Sequence, residues 1–411
     1  MKLKCGLVGE HLAHSFSPQI HAELGDYEYV LYEKRADELE SFIRDGEFDG
    51  LTVTIPYKKA VIPFCSNLSD TARAIGSVNV LTRQPDGSLC GDNTDYFGFD
   101  YLLSKSGADP AGGKTLVLGS GGSSLTVQAV LRSRSAKEVV VISRSGADNY
   151  ENIGKHSDAI IIVNTTPVGM YPGNGASPLK DLSIFDNCKA VIDIVYNPAM
   201  TELLLQAADR GITAVGGLAM LSAQAKKAAE LFTGTAIPDG IIETITSKIV
   251  RKTRNIVLIG MPGSGKTSIG IALGKLMDRE FCDTDALIIK KTGKEIPAIF
   301  DEYGEDSFRE METEVLRDMC KRSGLIIATG GGVVKRRENL RIIRQNSTLV
   351  FLDRDISELT TFGRPLSQRD GIAALSKERL PIYKQWGEYT VAVSGIDRTA
   401  AEIYERLMSG D

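Results

Sequence analysis

The sequence lacks the features that mark membrane, secreted and nucleic-acid-binding proteins. None of the apolar runs in its 411 residues approaches the roughly 20 residues that a membrane-spanning helix needs. The first residues lack the apolar stretch of a signal peptide. The chain also has no basic run and no platform of neighbouring aromatic residues, and its formal net charge is −5. We therefore expect a cytoplasmic protein that binds neither a membrane nor nucleic acid.

The six cysteines are too scattered to form a recognisable framework. They lie at positions 5, 65, 90, 188, 282 and 320, and no two have the C-x-x-C spacing of zinc ligands or redox pairs. A disulfide framework or a zinc site is therefore not expected, and the thiols should be reduced and mostly buried. The sequence also lacks internal repeats and low-complexity tracts.

What the sequence does have is an alternation of short β-branched runs with longer helical stretches. This pattern is typical of α/β proteins in which helices cover parallel sheets, and 411 residues suffice for two or three such domains. The predicted strands are Cys5–Val8, Gly50–Thr54, Thr115–Leu118, Val139–Ile142, Ile160–Val163, Val191–Ile194, Ile256–Ile259, Leu325–Ala328 and Thr348–Leu352.

The main domain boundary is predicted in the segment Pro238–Asn255. This segment opens with a Pro-Asp-Gly turn, continues as a helix through Lys248, and ends in a polar linker at residues 251–255. Ahead of it, a new strand and a glycine loop begin near residue 115, which favours a separate nucleotide-binding lobe. We therefore predict a first lobe of residues 1–99 with about 221–250, a Rossmann lobe of residues 100–220, and a domain of residues 256–411.

The strongest single motif is the phosphate-binding loop (P-loop) at residues 260–267. An apolar strand runs into the pattern G-x-x-x-x-G-K-T, and a helical stretch follows it. Lys266 is expected to contact the β- and γ-phosphates of a nucleotide, and Thr267 to ligate Mg²⁺. The backbone that cradles the phosphates would come from Gly260, Gly263, Ser264 and Gly265. The alternative is a decayed loop that no longer binds.

A second, weaker glycine loop follows the strand that ends at Leu118. Gly119, Gly121 and Gly122 precede a helical run, so their N–H groups could hold a pyrophosphate at the helix N-terminus. Ser124 stands where the usual fingerprint has its third glycine. A simple turn between strand and helix would also need glycines, so both interpretations remain open at this point.

The end of the next strand indicates which dinucleotide would bind. Ser143 and Arg144 stand where an acidic residue would hold the ribose 2′-hydroxyl of NAD. A guanidinium flanked by hydroxyls suits a 2′-phosphate, which favours NADP(H). The alternative is a solvent-exposed arginine and NAD.

A nicotinamide enzyme that reduces a ketone needs a proton donor for the growing alkoxide. Lys58 and Asp95 are candidates for this work, but their spacing along the chain would not pair them. From the residues alone, a surface charge is the better interpretation of each than a catalytic group.

Residues 1–250 contain an ordered set of short motifs. The motifs are Ser15-Phe-Ser17-Pro18, Thr52-Val-Thr54-Ile-Pro-Tyr-Lys58, Gly76-Ser-Val-Asn79, Gly91-Asp-Asn-Thr-Asp95, the loop at Gly119, Asn164-Thr-Thr-Pro-Val-Gly169-Met170, Asp193-Ile-Val-Tyr196-Asn-Pro198 and Gly217-Leu-Ala-Met220-Leu-Ser-Ala-Gln224. This set, in this order, resembles shikimate dehydrogenase. Thr52 and Ser143 depart from the family, which generally has asparagine at both places.

The resemblance implies roles for particular residues. Lys58 and Asp95 would form the proton-handling pair, and Gly217 would lie at the cofactor. The residues that would hold the carboxylate and hydroxyls of 3-dehydroshikimate are Ser15, Ser17, Thr54, Asn79, Asp95, Tyr196 and Gln224. The local alternatives are helix capping before Pro18 for the two serines, and turn positions for Thr54 and Asn79.

Further polar elements follow the P-loop. Asp283 and Asp285 come after the short stretch EFC, and alternate residues of an extended chain point the same way. One could hold a metal-linked water and the other face an acceptor hydroxyl, or both could belong to a solvated acidic turn. Arg309 and Glu312 could be an ordinary i,i+3 surface pair.

Glycines and arginines complete the set. Gly330, Gly331 and Gly332 would permit close approach of a ligand or form only a tight turn. Arg364 and Arg379 add two guanidiniums that could be generic surface charge.

These elements, in this order, resemble shikimate kinase over about residues 254–411. By that resemblance Arg309, Arg379 and the glycines 330–332 would hold shikimate, and Asp285 would orient or deprotonate its 3-hydroxyl. Asp283 would support Mg²⁺, and Arg364 would stabilise charge on the transferred phosphoryl group. The stretch between the strand TLVFL and Arg364 is shorter than in the family and lacks the family's additional arginine there.

The two resemblances together predict a bifunctional enzyme that reduces 3-dehydroshikimate with NADPH and then phosphorylates shikimate with ATP. Three alternatives remain: a quinate dehydrogenase in the first part, another small-molecule kinase in the second, and a sensor that kept the pockets but lost catalysis. An oligomer is possible.

Overall fold

The computed structural model describes residues 2–12, 15–359 and 371–409. The chain forms two compact units, Met1–Val250 and Arg251–Asp411. The described residues make three sheets, two in the first unit and one in the second, and helices pack against each. The predicted α/β class is therefore confirmed.

The first sheet is mixed rather than parallel. Its strand order is β2-β1-β3-β5-β6-β4, and β5 runs antiparallel to both of its neighbours. The strands are β1 (Lys4–Gly9), β2 (Glu28–Glu33), β3 (Gly50–Val53), β4 (Asn67–Leu68), β5 (Val80–Arg83) and β6 (Leu89–Asp92). The helices of this lobe are α1 (Ser17–His21), α2 (Leu39–Asp45) and α3 (Asp70–Ile75), with a 3-10 helix at Ile62–Phe64.

The second sheet is parallel and has the order β11-β10-β9-β7-β8. The chain order reverses around β7, so the loop after β7 lies at a topological switch point, where ligands of open α/β sheets bind. The strands are β7 (Lys114–Leu118), β8 (Glu138–Ile142), β9 (Ile161–Asn164), β10 (Ala190–Asp193) and β11 (Thr213–Gly216). The helices are α4 (Asp95–Ser106), α5 (Gly122–Ser133), α6 (Glu202–Asp209), α7 (Leu218–Thr233) and α8 (Gly240–Thr253), with a 3-10 helix at Ile153–His156.

Two helices join the lobes of the first unit. Phe99 and Leu102 of α4 pack with the core of the second sheet, although α4 begins at Asp95. Ala225 and Ala229 of α7 pack against Ile20 of the first lobe. The limits predicted at residues 99 and 220 therefore fall inside helices, and a lobe boundary cannot be a flexible connection at either point.

The helix predicted to end at Lys248 continues to Thr253 as α8. Ile245 and Ile249 are buried in one cluster. The basic residues of the last turn lie at the negative end of the helix dipole, where positive charge stabilises the helix. Residues 251–253 of the predicted linker are therefore helical. Strand β12 follows after a single residue.

The sheet of the second unit is parallel, with the order β13-β14-β12-β15-β16. Its strands are β12 (Asn255–Ile259), β13 (Phe281–Asp283), β14 (Ile326–Ala328), β15 (Ser347–Asp353) and β16 (Tyr389–Ala392). Its helices are α9 (Lys266–Met277), α10 (Thr284–Thr292), α11 (Ile296–Lys321, with a break at Gly304), α12 (Arg337–Arg344), α13 (Ile372–Trp386) and α14 (Ile396–Ser409). Short 3-10 helices lie at Val333–Lys335 and Ile356–Glu358.

All nine predicted strands occur with small shifts at their ends, and most of the cysteines are buried, as expected. The buried thiols are Cys5, Cys188, Cys282 and Cys320. In the part of the chain that the structure describes, no helix is long and apolar enough to cross a membrane.

Candidate active sites

Lys58 and Asp95 form a buried ion pair in the first unit. Lys58 lies in the turn after β3 and Asp95 is the first residue of α4, and 2.6 Å separates Nζ from Oδ2. The side chain of Asp95 is 1% exposed and that of Lys58 is 12% exposed. The alternative of two surface charges is therefore wrong.

The carboxyl group of Asp95 has one oxygen without a partner among the described residues. Its place in the first turn of α4 puts it at the positive end of the helix dipole. Among the described residues, its buried Oδ1 has no hydrogen-bond partner. A buried acceptor without a hydrogen-bond partner costs folding free energy. A substrate hydroxyl that donates a hydrogen bond to Oδ1 would remove this desolvation cost.

Asn79 bonds directly to Gln224 and also to Thr94, the residue before Asp95. Asn79 Nδ2 donates to Gln224 Oε1 at 3.1 Å, and the Thr94 N–H donates to Asn79 Oδ1 at 2.7 Å. Asn79 is buried, so its amide is held by these bonds and is not part of an exposed turn. Because Thr94 directly precedes Asp95, the amide pair and the ion pair lie at one helix start.

Ser15, Ser17 and Tyr196 form a second polar group. The two serine hydroxyls are 3.1 Å apart, and the N-cap position of α1 is Phe16 rather than either serine. Burial raises the pKa of Tyr196, and its hydrogen bond with Ser15 acts against that rise. Thr54 lies elsewhere, against the end of β1, where a Cβ on Gly9 would be 2.5 Å from Thr54 Cγ2.

The glycine loop after β7 has the shape of an anion cradle. Gly119 has φ +104°, and a Cβ there would lie 2.9 Å from Thr165 Oγ1. A Cβ on Gly121 would meet no atom of the described residues within 4 Å, so packing inside the protein does not require that glycine. It leaves the N-terminus of α5 open to a phosphate group. Ser124 is buried and accepts from Gln128 Nε2, so its packing needs no glycine.

The cofactor loop also reaches the ion pair. Ser123 Oγ is 3.4 Å from Lys58 Nζ, and a Cβ on Gly122 would lie 3.4 Å from Lys58 Cβ. The candidate proton donor and the candidate cofactor cradle are therefore adjacent.

The loops after β7 and β8 lie side by side, because the Gly119 N–H donates to Ile142 O at 2.8 Å. Ser143 and the exposed Arg144 follow directly, so the guanidinium is accessible from the cradle's edge. Gly217 has a structural explanation, since a Cβ there would lie 2.1 Å from Ile194 O.

In the second unit, the P-loop follows β12 and leads into α9. Gly265 caps α9 with φ +93°, and the buried Ser264 Oγ has no hydrogen-bond partner in the described part of the chain. Lys266 Nζ donates to Gly260 O at 2.8 Å and to Met261 O at 2.9 Å. These bonds fold the lysine over its own loop, a position from which it can reach a bound phosphate.

The two acids after β13 have different surroundings. Asp283 caps α10 through Oδ1, and its Oδ2 accepts from Thr267 Oγ1 at 2.7 Å. Asp285 lies in the first turn of α10, and a Cβ on Gly330 would be 2.7 Å from its Oδ1. A solvated acidic turn is therefore the wrong interpretation.

Arg309 and Glu312 are buried rather than exposed. Arg309 is 5% and Glu312 is 1% exposed, and their Nη1 and Oε2 atoms lie 2.7 Å apart. Burial raises the pKa of Glu312 to about 7, although the Arg309 guanidinium lowers it. Gly332 lets Arg309 approach, since a Cβ there would be 2.0 Å from Nη1. The surface-pair alternative is wrong.

Arg379 is buried as well, at 2% exposed, and donates from Nη1 to Gly331 O at 3.1 Å. Tyr383, one turn further along α13, donates to the same carbonyl. Generic surface charge is thus excluded for Arg379. Arg364 lies outside the described residues.

A cavity of about 430 Å³ brings these groups together. It is lined by Pro262, Gly263, Gly265, Lys266, Thr267, Ser268, Asp283, Asp285, Ile296, Phe300, Phe308, Arg309, Glu312, Thr329, Gly330, Gly331, Gly332, Arg354, Glu358 and Arg379. The P-loop, the carboxylates of Asp283 and Asp285, and the buried guanidiniums of Arg309 and Arg379 therefore line one cavity.

Comparison with known proteins supports both halves. The substrate-binding domain of shikimate dehydrogenase matches residues 7–81 and shikimate kinase matches residues 262–409. An NADP(+) shikimate dehydrogenase of Clostridium perfringens is 32% identical over 265 residues, which are 59% of this chain and 97% of that protein. The chain belongs to the shikimate dehydrogenase family.

Other relatives of the shikimate dehydrogenase part agree. The enzyme of Methanopyrus kandleri is 36% identical over 57% of this chain and 91% of its own. A chorismate mutase/shikimate 5-dehydrogenase fusion protein from Clostridium acetobutylicum gives a TM-score of 0.57 at 32% identity, covering 61% of this chain and 97% of that one. A Thermus thermophilus shikimate 5-dehydrogenase in complex with NADP(H) and shikimate gives 0.54 at 30%, covering 60% and 99%.

The chain is therefore a bifunctional enzyme that joins an NADP-dependent shikimate dehydrogenase to an ATP-using shikimate kinase. This confirms the predicted families, cofactors NADP and ATP, and the pair of activities.

Several residues at these sites were missed in the sequence of this shikimate dehydrogenase and kinase. Thr94 and Ser123 are small polar residues that lie next to predicted site residues, Asp95 and Gly122, but were not themselves predicted. Tyr383, which shares the Gly331 carbonyl with Arg379, was not among the predicted site residues. Arg354 lies in the stretch that lacks the family's additional arginine and was not among the predicted site residues, yet it lines the cavity. Its place directly after an apolar strand was the available signal.

Proposed function

We propose that the first unit reduces 3-dehydroshikimate to shikimate and that the second unit phosphorylates the 3-hydroxyl of shikimate. The observation that carries the first assignment is the buried Lys58–Asp95 pair with its unpartnered carboxylate oxygen. For the second, it is the convergence of the P-loop, Asp285 and two buried arginines on one cavity.

In the reduction, Lys58 is proposed as the proton donor. Nζ gives a proton to the carbonyl oxygen as the carbon accepts a hydride, and Asp95 holds the ammonium at 2.6 Å in the correct place. Asp95 Oδ1 would accept a hydrogen bond from a neighbouring substrate hydroxyl. Because Asp95 is buried and the Lys58 side chain is only 12% exposed, few water molecules compete for the proton.

The remaining polar groups are proposed to orient the ring. Ser15, Ser17 and Tyr196 offer hydroxyl donors for the substrate carboxylate, and Asn79 with Gln224 offers amide groups for the hydroxyls. Thr54 follows β3 four residues before Lys58 and would add a further hydroxyl.

The residues around the β7 loop fit NADP(H). Gly119, Gly121 and Gly122 leave the start of α5 open for a pyrophosphate, and Ser143 with Arg144 would hold the 2′-phosphate. When bound, NADPH supplies the hydride. Gly217 would lie nearby as a packing position.

In the phosphorylation, Asp285 is proposed to orient the 3-hydroxyl and accept its proton. The hydroxyl oxygen forms a bond to the γ-phosphorus of ATP, the bond from that phosphorus to ADP breaks, and the proton leaves with Asp285. Arg309 and Arg379 would bind the shikimate carboxylate. Both Nε atoms are buried and without a partner among the described residues, so a carboxylate would satisfy them.

The oxygen atoms of Thr267 and Asp283 fit Mg²⁺. A hydroxyl and a carboxylate 2.7 Å apart at the P-loop are the hard ligands that this ion prefers. Mg²⁺ would neutralise phosphate charge there, and Lys266 would act beside it. Arg364 keeps its predicted role as a cation for the transferred phosphoryl group.

Assays of the purified chain test each half separately. Shikimate and quinate are offered with NADP⁺ and with NAD⁺, and an acceptor screen with ATP measures ADP formation. We expect shikimate with NADP⁺, and shikimate with ATP, to be the preferred pairs. Preference for quinate with NAD⁺, or for another acceptor, would refute the corresponding half.

A sensor that binds without turnover is the competing function. Tight binding of shikimate and ATP without release of ADP would support it. We favour the enzyme because the residues proposed for catalysis are all in place. Lys58 pairs with Asp95, Lys266 bonds to its own P-loop, and Asp285 lines the same cavity. The cytoplasmic location, the possible oligomer, the absence of a nucleic acid or membrane partner, and the domain limits remain predictions.

A further inference from the structure

Arg354 lies at the carboxyl end of the parallel strands, where the P-loop also begins. It directly follows β15, which pairs in parallel with β12, and Ile259 of β12 is in register with Phe351 of β15. Because parallel neighbours end at the same edge, the segment after β15 runs beside the P-loop after β12. The two segments approach closely there, since a Cβ on Gly260 would lie 2.8 Å from Leu352 O.

The guanidinium faces the loop. Nη1 of Arg354 is 4.0 Å from the position that a Cβ on Gly265 would take, and Arg354 lines the same cavity as Lys266 and Thr267. Gly265 caps α9, so its N–H belongs to the set that a P-loop offers to phosphate oxygens. The Arg354 guanidinium therefore adds positive charge next to the N–H groups that would bind phosphate.

The interaction that Arg354 makes in this structure is weak and replaceable. Nε donates to Glu358 Oε2 at 3.1 Å, and the two side chains are 32% and 56% exposed. An exposed i,i+4 pair contributes little to stability, since water screens it and both side chains lose rotamer freedom. Stability alone therefore does not account for a guanidinium held at the mouth of a phosphate site.

We propose that Arg354 is a nucleotide-binding residue of the kinase unit that contacts the α- and β-phosphates of ATP and ADP. This proposal rests on the proposed kinase function of the second unit. On nucleotide binding, the guanidinium exchanges the exposed Glu358 carboxylate for phosphate oxygens. Its charge-assisted bonds add to those of Lys266 and the P-loop backbone.

Binding of Mg·ADP to the full-length chain, followed by calorimetry, tests this role. We expect Arg354→Ala to weaken ADP binding about tenfold, because one charge-assisted contact is lost. Shikimate binding and dehydrogenase turnover should not change. Arg406→Ala is the matched control, since Arg406 forms a similar exposed pair with Glu402 at 2.7 Å but does not line the cavity.

Two further measurements separate the possible causes. Glu358→Gln should bind ADP at least as tightly as the parent chain, because the competing carboxylate is gone. A loss equal to that of Arg354→Ala would overturn the proposal. Adenosine should compete equally well in the parent and in Arg354→Ala, and an equal loss for adenosine would place the contact on the base or ribose instead.

The parent chain distinguishes this inference from the function on which it rests. If the parent does not bind Mg·ADP, the kinase site itself is wrong and the role of Arg354 is wrong with it. If the parent binds and Arg354→Ala binds equally well, only the inference about Arg354 is refuted.

Discussion

Replacing Lys58 by methionine should stop the reduction while leaving the fold of the first unit in place. The methionine keeps an apolar stem where Lys58 packs near Gly122, at 3.4 Å from the position of a Cβ there. It removes the proton donor, and general acid catalysis contributes typically 10²–10⁴-fold. We therefore expect kcat for 3-dehydroshikimate to fall by about that factor, or about 3–5 kcal/mol in the barrier.

The same change should cost stability, because Asp95 would remain buried without its cation. Removing one partner of a buried pair costs about 3–5 kcal/mol, which is a large part of a domain's total. Adding Asp95→Asn to Lys58→Met should restore part of the loss, since the buried charge is then gone. The double-mutant cycle measures this coupling in urea unfolding followed by far-UV circular dichroism.

The kinase activity of the same polypeptide is the internal control. Lys58 lies in the first unit, so ATP-dependent phosphorylation of added shikimate should continue at the parent rate. The single tryptophan, Trp386, lies in α13 and reports the fold of the second unit. A kcat for reduction within about threefold of the parent would refute Lys58 as the donor, given the factor expected above.

Four other outcomes are expected. Lys266→Ala should lower phosphorylation at least about 100-fold and leave NADPH oxidation unchanged, as measured in separate assays on one preparation. Arg144→Ala should raise KM for NADPH about 10- to 100-fold with little change for NADH, and equal changes would refute a 2′-phosphate contact. Arg379→Met should raise KM for shikimate in the kinase assay while KM for ATP stays constant; a rise in both would argue for a general structural role. The folded-state pKa of Glu312, raised to about 7 by burial, should make the second unit less stable as pH rises from the ordinary glutamate pKa to about 7. Trp386 fluorescence during urea unfolding measures that slope, which should be absent in Glu312→Gln.

Local motifs were predictable because their chemistry is contained in neighbouring residues. The P-loop needs only a strand, a glycine-rich turn and a helix in sequence, and all three occur as predicted. The nine predicted strands were visible for the same reason, since a buried strand is a short run of β-branched residues. The parallel strands β2, β11 and β16 were not predicted. Family resemblance supplied the roles that spacing alone could not.

Tertiary contacts were harder to predict. Spacing did not indicate that Lys58 meets Asp95, because the pair forms only when the turn after β3 packs against the start of α4. Strands β5 and β6 were missed because VLTR and LCGD are short and polar at their ends. Glu312 was correctly placed one turn from Arg309, but sequence does not show which face of α11 is buried.

A coupled reaction of the full-length chain with 3-dehydroshikimate, NADPH and Mg-ATP tests the central claim most directly. NADPH oxidation is followed by absorbance, and phosphorylated product by mass spectrometry. We predict that shikimate 3-phosphate appears only when both NADPH and ATP are present, and that added shikimate removes the requirement for NADPH. NADPH oxidation without any phosphorylated product, even with shikimate supplied, would contradict the account.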